Sequence, residues 1–213
     1  MYKGNIDYRD TKIQFFLPLV KDKCVLDIGV VQHEREKYQH GTWLHRAIKE
    51  SSKDCVGLDI DQDGVNFLKK DGYHVVNADA QSFDLGVKFD VVVAGDIIEH
   101  LSNVGGFLDS VKKHLSPNGI LALSTPNQFW WKTYLLVAAK GNAKPHPQHT
   151  CWFCEKTLEQ VLTRHGFEIV SISYGTVYNL ATFNQRMTKR INTVLLLPNR
   201  FRHNTIMITA KIA

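Results

Sequence analysis

Short apolar runs of strand length recur along the chain, and most close on an acid or a glycine. Cys24 to Ile28 is followed by Gly29, Cys55 to Asp61 ends in acid, and His74 to Val76 runs into Asn77-Ala78-Asp79-Ala80. Phe89 to Ala94 carries three consecutive valines, and Ile120 to Thr125 stops at Pro126. A continuous apolar run bounded by turn residues reads as a strand buried on both faces, the habit of parallel sheets. Segments of helical period alternate with these runs. They are Tyr8 to Val20 (ending at or just past Pro18), Trp43 to Lys49, and a stretch with Val65, Phe67 and Leu68 stopped by Asp71-Gly72. Val104 to Leu115 follows, closed by the turn Ser116-Pro117-Asn118-Gly119, then Phe129 to Lys140, then Lys156 to His165 with Gly166 as its cap.

Strands alternating with helices predict a doubly wound, Rossmann-like α/β sheet with helices on both faces. Two later strands, Glu168 to Tyr174 and Ile206 to Ile212, have no clear crossover helix between them, which predicts a seven-stranded mixed sheet with a late antiparallel strand. The basic stretch between those two strands shows no readable element. In open α/β sheets ligands bind beyond the carboxyl ends of the strands, so a cofactor is expected at Gly29.

At 213 residues the chain reads as a single domain over 1–213 with a core near 20–175. A net charge of +5 admits an anionic substrate or nucleic acid without pointing to one. The first residues lack a signal-type apolar core, no run reaches transmembrane length, and the chain reads as cytoplasmic. Cys24 and Cys55 sit in apolar strands as core thiols; Cys151 and Cys154 form one C-x-x-C, a weak zinc signal with His146 and His149.

Taken in order, Val25-Leu26-Asp27-Ile28-Gly29, Gly57-Leu58-Asp59-Ile60-Asp61, Asn77-Ala78-Asp79-Ala80, Phe89 to Asp96 and Leu115 to Leu121 resemble the motifs of class I S-adenosylmethionine (SAM) dependent methyltransferases. The resemblance implies SAM as cofactor, with contacts from Asp27, Gly29, Val30, Asp59, Ile60, Asp79, Ala80, Gly95 and Asp96. Asp59, at the end of the second strand, is suited to accept both ribose hydroxyls, with Asp61 the second choice or simply a helix cap. Asp79 is placed for the adenine amino group, and Ala80 offers a backbone N–H to the ring. One departure stands out: the family loop continues Gly-x-Gly, whereas Val30-Val31-Gln32-His33 follow Gly29 here. Either the 30–42 loop closes over the cofactor in another way, or the chain is a degenerate methyltransferase fold acting as a binding partner.

Methyl transfer is an in-line displacement needing alignment and, for a hydroxyl acceptor, loss of a proton. Asp96-Ile97-Ile98-Glu99-His100 follows the fourth strand, Thr125-Pro126-Asn127 the fifth, and His146-Pro147-Gln148-His149 comes later. This pattern resembles the ubiquinone-biosynthesis O-methyltransferases and the small-RNA 3′-terminal 2′-O-methyltransferases. It implies His100, His149 and Glu99 as catalytic groups, and a divalent metal (Mg, Mn, Fe or Zn) on Asp96, Glu99, His100 and His149 or His146. The expected reaction is O-methylation of a small-molecule or glycan acceptor, with RNA 3′ ends as the alternative. An aromatic cluster (Phe129, Trp130, Trp131, Tyr134) reads as a substrate lid or a packing helix. A basic segment (Arg186, Lys189, Arg190, Arg200, Arg202) reads as a phosphate contact or a solvated face.

Overall fold

One seven-stranded sheet organises the chain, in the order β3-β2-β1-β4-β5-β7-β6. The strands are β1 (Cys24–Ile28), β2 (Asp54–Asp59), β3 (Val75–Asn77), β4 (Phe89–Gly95), β5 (Leu115–Pro126), β6 (Phe167–Gly175) and β7 (Thr205–Ile212). A computed structural model describes residues 10–32, 34, 37–38, 41–142, 146–176, 183–194 and 198–213. Tyr8 and Arg9 of the first predicted helix, and His33 and His40 of the polar loop, lie outside the described residues. The first five strands pair in parallel, while β7 runs antiparallel to both β5 and β6, as the sequence predicts.

The central strands β1 and β4 are buried on both faces, so they read as apolar runs interrupted only by Asp27 and Asp90. At the edge, β6 alternates instead, and Val170 and Ile172 point to solvent. The helices are α1 (Thr11–Val20), α2 (Leu44–Ser51), α3 (Gln62–Lys70), α4 (Val104–His114), α5 (Trp131–Lys140), α6 (Glu155–Arg164), α7 (Phe183–Val194) and α8 (Asn199–Arg202). Each fully buried Leu, Ile or Phe that α4 and α6 press onto the sheet contributes about 1.5–3 kcal/mol.

Helix starts follow local chemistry. Asp10 caps α1 by accepting from the Lys12 and Ile13 N–H groups, and Asp61 caps α3 through Asp63 and Gly64. Pro18 lies inside α1, which ends just past it at Val20 as the sequence predicts. The predicted turn Ser116 to Gly119 is absorbed into β5 as an irregularity: Leu115 pairs with Phe89, and regular register resumes at Val91 with Ile120. The stretch without readable elements contains α7 and α8; in α7, Phe183, Met187, Ile191 and Val194 recur at helical spacing, a period the sequence reading passes over.

Candidate active site at the carboxyl edge of the sheet

The carboxyl ends of β1, β2 and β4 open into a cavity of about 700 Å³. Of the cofactor contacts expected from sequence, Asp27, Gly29, Val30, Asp59, Ile60, Gly95 and Asp96 line it, and so does His100. Asp79 and Ala80 do not. The Asp79 carboxylate accepts instead from the Gln81 N–H at 2.9 Å and from its side-chain amide at 3.2 Å, which fixes the turn after β3.

The loop that lacks its second glycine is built on a different set of supports. Val31 N–H donates to Asp59 Oδ2 at 2.8 Å, and Gln32 N–H donates to the Tyr38 hydroxyl at 3.0 Å. Trp43 Nε1 donates to the Val30 carbonyl at 3.1 Å. Val30, Tyr38 and Trp43 are buried together with Val65, Leu68 and Val75. The room taken by the two valines comes from glycines elsewhere. A Cβ on Gly64 would lie 2.3 Å from Val31, and one on Gly57 would lie 3.1 Å from Val30. The loop therefore closes onto α3 and β2 rather than through a glycine of its own.

Gly29 itself has φ +82°, and a Cβ there would meet Ile97 at 2.8 Å. Gly29→Ala is expected to lower stability by about 1–2 kcal/mol, the cost of a left-handed conformation for an L side chain, read as a lowered thermal midpoint.

Beneath the loop, Asp27 and His45 form a buried pair, Nδ1 to Oδ2 at 2.9 Å, that floors the cavity. Burial pushes the Asp27 carboxyl up, against the pull of the His45 hydrogen bond and charge. His45 belongs to the site without having any motif of its own: it is the second residue of α2, and only packing on Trp43 and Tyr73 turns it inward.

At the other end of the cavity, Asp96 sits directly after β4 with φ +54°, a conformation that non-glycine residues rarely adopt. Its carboxylate accepts from Ser124 Oγ at 2.7 Å and from the Lys12 ammonium. Lys12 lines the cavity too, carried in by α1 from 84 residues upstream. No spacing in the sequence connects these two residues, so the sequence reading misses Lys12.

Glu99 does not line the cavity. It is 2% exposed, with Oε2 accepting from Thr125 Oγ1 at 2.9 Å. Oε1 is buried with no hydrogen-bond partner among the described residues. Burial, and secondarily the neighbouring Asp96 charge, push its carboxyl up to about 7. The Glu99 carbonyl accepts from Thr150 N–H at 2.8 Å, and Thr150 Oγ1 donates to the Leu101 carbonyl at 2.8 Å. That anchor brings the histidine loop down onto His100. The ring centroids of His146 and His149 stand 6.0 and 4.7 Å from that of His100.

One ligand atom from each of His100, His146 and His149 falls within 4.8 Å of the others. Burial and the two neighbouring imidazoles hold the His149 pKa down. The predicted metal set is thus redistributed. The imidazoles converge, whereas Asp96 is taken by Lys12 and Ser124 and neither acid joins the cluster. Among the described residues, Cys151 and Cys154 do not join it either. Cys154 begins α6, its N–H donating to Thr157 Oγ1 at 2.9 Å.

A seven-stranded sheet of this order, with a ligand-sized cavity over β1, β2 and β4, invites comparison with known proteins. A family model described as a methyltransferase domain matches residues 7–172. The chain belongs to the class I SAM-dependent methyltransferases. This methyltransferase is 32% identical over 108 residues to a ubiquinone biosynthesis O-methyltransferase of Rhodopseudomonas palustris, a match covering 48% of this chain and 42% of that protein. It is 22% identical over 191 residues to the protein of the same description from Hydrogenovibrio crunogenus, covering 84% of this chain and 75% of that one. Among solved structures, a SAM dependent methyltransferase from Archaeoglobus fulgidus superposes with a TM-score of 0.64 at 20% identity, over 94% of this chain and 91% of that one. At that identity the likeness establishes the shared fold. The methyltransferase spans less than half the length of the first of these relatives.

Proposed function

We propose that this methyltransferase transfers the methyl group of SAM to a hydroxyl oxygen of a small-molecule or glycan acceptor. The observation that carries the reading is the two-ended cavity. One end offers a glycine turn and the Asp59 carboxylate; the other offers Asp96, Lys12 and His100. Asp59 holds the loop with one lone pair per oxygen and keeps the others for the ribose diol. The mobile proton of the acceptor would be taken at the Asp96–His100 end, where His100 is within reach of the cavity and Lys12 offsets the negative charge that develops on oxygen. The relatives described as ubiquinone biosynthesis O-methyltransferases favour oxygen as the acceptor atom.

A divalent metal fits the three imidazoles, whose nitrogen donors suit Zn²⁺ or Fe²⁺ better than Mg²⁺. His100, His146 and His149 would hold the ion; when bound it supplies a Lewis acid that lowers the pKa of an acceptor hydroxyl. Free thiols at all four cysteines fit a reducing, cytoplasmic setting, and no helix among the described residues is long and apolar enough to cross a membrane.

Calorimetric titration with S-adenosylhomocysteine (SAH), the demethylated product, tests the reading. Micromolar binding is expected, unchanged by EDTA, because the ribose end stands apart from the imidazoles. Zn²⁺ should give a separate heat that His149→Ala removes. Absence of SAH binding under both conditions would replace the enzyme with a non-catalytic scaffold.

A further inference from the structure

The charge of this protein is strongly divided along the chain. Residues 1–109 hold 18 of the 21 acids and 13 of the 26 Lys and Arg, whereas residues 110–213 hold the remaining three acids and the other 13 basic residues. The helices α5, α7 and α8 carry seven Lys and Arg between them and not one acid. These helices stand together beyond the ends of β5 and β6. Trp131 Nε1 donates to Asn192 Oδ1 at 2.7 Å, Asn192 Nδ2 donates to the Arg202 carbonyl at 2.9 Å, and the Phe201 ring meets Phe129 and Tyr134.

Within this cap, where Glu155 of α6 pairs with Arg200 at 3.7 Å, α5 has the composition of a buried helix and the exposure of a surface one. Its sequence is Trp-Lys-Thr-Tyr-Leu-Leu-Val-Ala-Ala-Lys, none of its residues is buried, and all seven from Tyr134 to Lys140 are exposed. Leu135 is 59% exposed and Leu136 47%. A helix apolar on all sides normally sits in a core or against lipid. Here two tryptophans open it and lysines stand near both ends, the residue types that anchor an apolar segment at the headgroup level.

We propose that α5, flanked by α7 and α8, docks this methyltransferase on an anionic lipid surface. Charge decides the occupant. A second copy docked through the same face would set the seven cations of these three helices against the same seven, which Glu155 beside Arg200 offsets only in part. A nucleic acid would satisfy the cations but leave Leu135, Leu136 and Val137 against phosphate and water. Anionic headgroups over acyl chains meet both requirements at once, since each Lys or Arg at such a surface strengthens binding about fivefold. Docking in this orientation turns the carboxyl edge of the sheet, and the cavity mouth with it, toward the membrane, where a lipid-linked acceptor would be presented. The inference stands apart from the methyl-transfer reading because lipid binding is read without cofactor.

The test is co-sedimentation of the full chain with vesicles of phosphatidylcholine alone or mixed with phosphatidylglycerol, at low and high salt. Binding to the mixed vesicles is expected, with little on phosphatidylcholine. The double variant Leu135→Glu, Leu136→Glu should lose about tenfold or more in affinity. Lys132→Glu with Lys140→Glu should lose the preference for anionic lipid. None of these residues lines the 700 Å³ cavity, so SAH binding and the thermal midpoint should stay unchanged in both variants. Failure to sediment with anionic vesicles at low salt overturns the proposal, as does equal binding by the glutamate double variant. Displacement of the protein from vesicles by single-stranded RNA with tighter RNA binding assigns the face to nucleic acid instead. A dimer dispersed by the same double variant assigns it to self-association.

Discussion

Asp59→Ala is expected to abolish measurable SAH binding in calorimetry while leaving the protein folded. The carboxylate does two jobs in this structure. It accepts from Val31 N–H and Asp61 N–H, which positions the loop after β1 and the turn into α3. Under the proposed function it also accepts from the ribose hydroxyls. Hydrogen bonds to a charged acceptor contribute about 1.5–3 kcal/mol each, so losing the ribose pair alone weakens binding by a hundredfold or more. Release of the loop adds to that loss. Asp59→Asn separates the two roles, because the amide oxygen can still accept one backbone N–H while the amide nitrogen faces the other donor. An Asn variant that binds SAH as tightly as the parent would remove Asp59 from the cofactor site. Folding is not expected to fail, since Val30, Tyr38 and Trp43 remain packed against α3 and β3.

The sheet was readable because buried parallel strands announce themselves as apolar runs, and β1, β2 and β4 each carry one ending at a residue that faces the cavity. The antiparallel closure by β7 could be expected because no crossover helix is legible between the last two strands, although α7 and α8 stand there. What the sequence hid is what depends on distant packing. Lys12 reaches Asp96 only because α1 crosses the outer face of the sheet, and His45 turns toward Asp27 only because Trp43 and Tyr73 wall it in. The missing second glycine looked like a defect of the loop when read alone. Its compensation lies at Gly57 and Gly64, 26 and more residues downstream, where no local pattern connects glycine to valine. For the same reason the metal ligands expected as two acids and two imidazoles separate in space. The neutralising partner of Asp96 is a lysine the motif does not contain, and His146 takes the third place beside His100 and His149.

Glu99→Gln is expected to change stability and activity in opposite directions over one pH window. The side chain is almost fully enclosed, one oxygen has no hydrogen-bond partner among the described residues, and burial with the Asp96 charge raises the carboxyl from its ordinary 4.5 to about 7. A carboxyl raised in the folded state stabilises the fold fully below its unfolded pKa and loses that contribution as pH rises through the folded value. The parent protein should therefore lose stability, relative to Glu99→Gln, between pH 4.5 and about 7. The change follows from 1.36 kcal/mol per unit and is on the order of 3 kcal/mol. Comparing the two proteins across pH cancels whatever fixed cost the glutamine amide brings. Activity runs the other way. Under the proposed function, ionisation of Glu99 adds a second negative charge beside Asp96 at the acceptor end, which favours proton uptake by a base there, so the rate climbs as pH passes 7 and flattens above. The glutamine variant then loses that limb together with about a hundredfold of the rate. Both profiles should be taken in EDTA, so that no metal on the three imidazoles shifts the titration. A parent rate flat from pH 5 to 8 would leave Glu99 with a purely architectural task, holding Thr125 by its side chain and the histidine loop by its carbonyl. A rate limb at pH 7 that survives in Glu99→Gln would transfer the titration to His100. The stability difference would still report the buried carboxyl, so the two measurements separate what Glu99 costs the fold from what it gives the reaction.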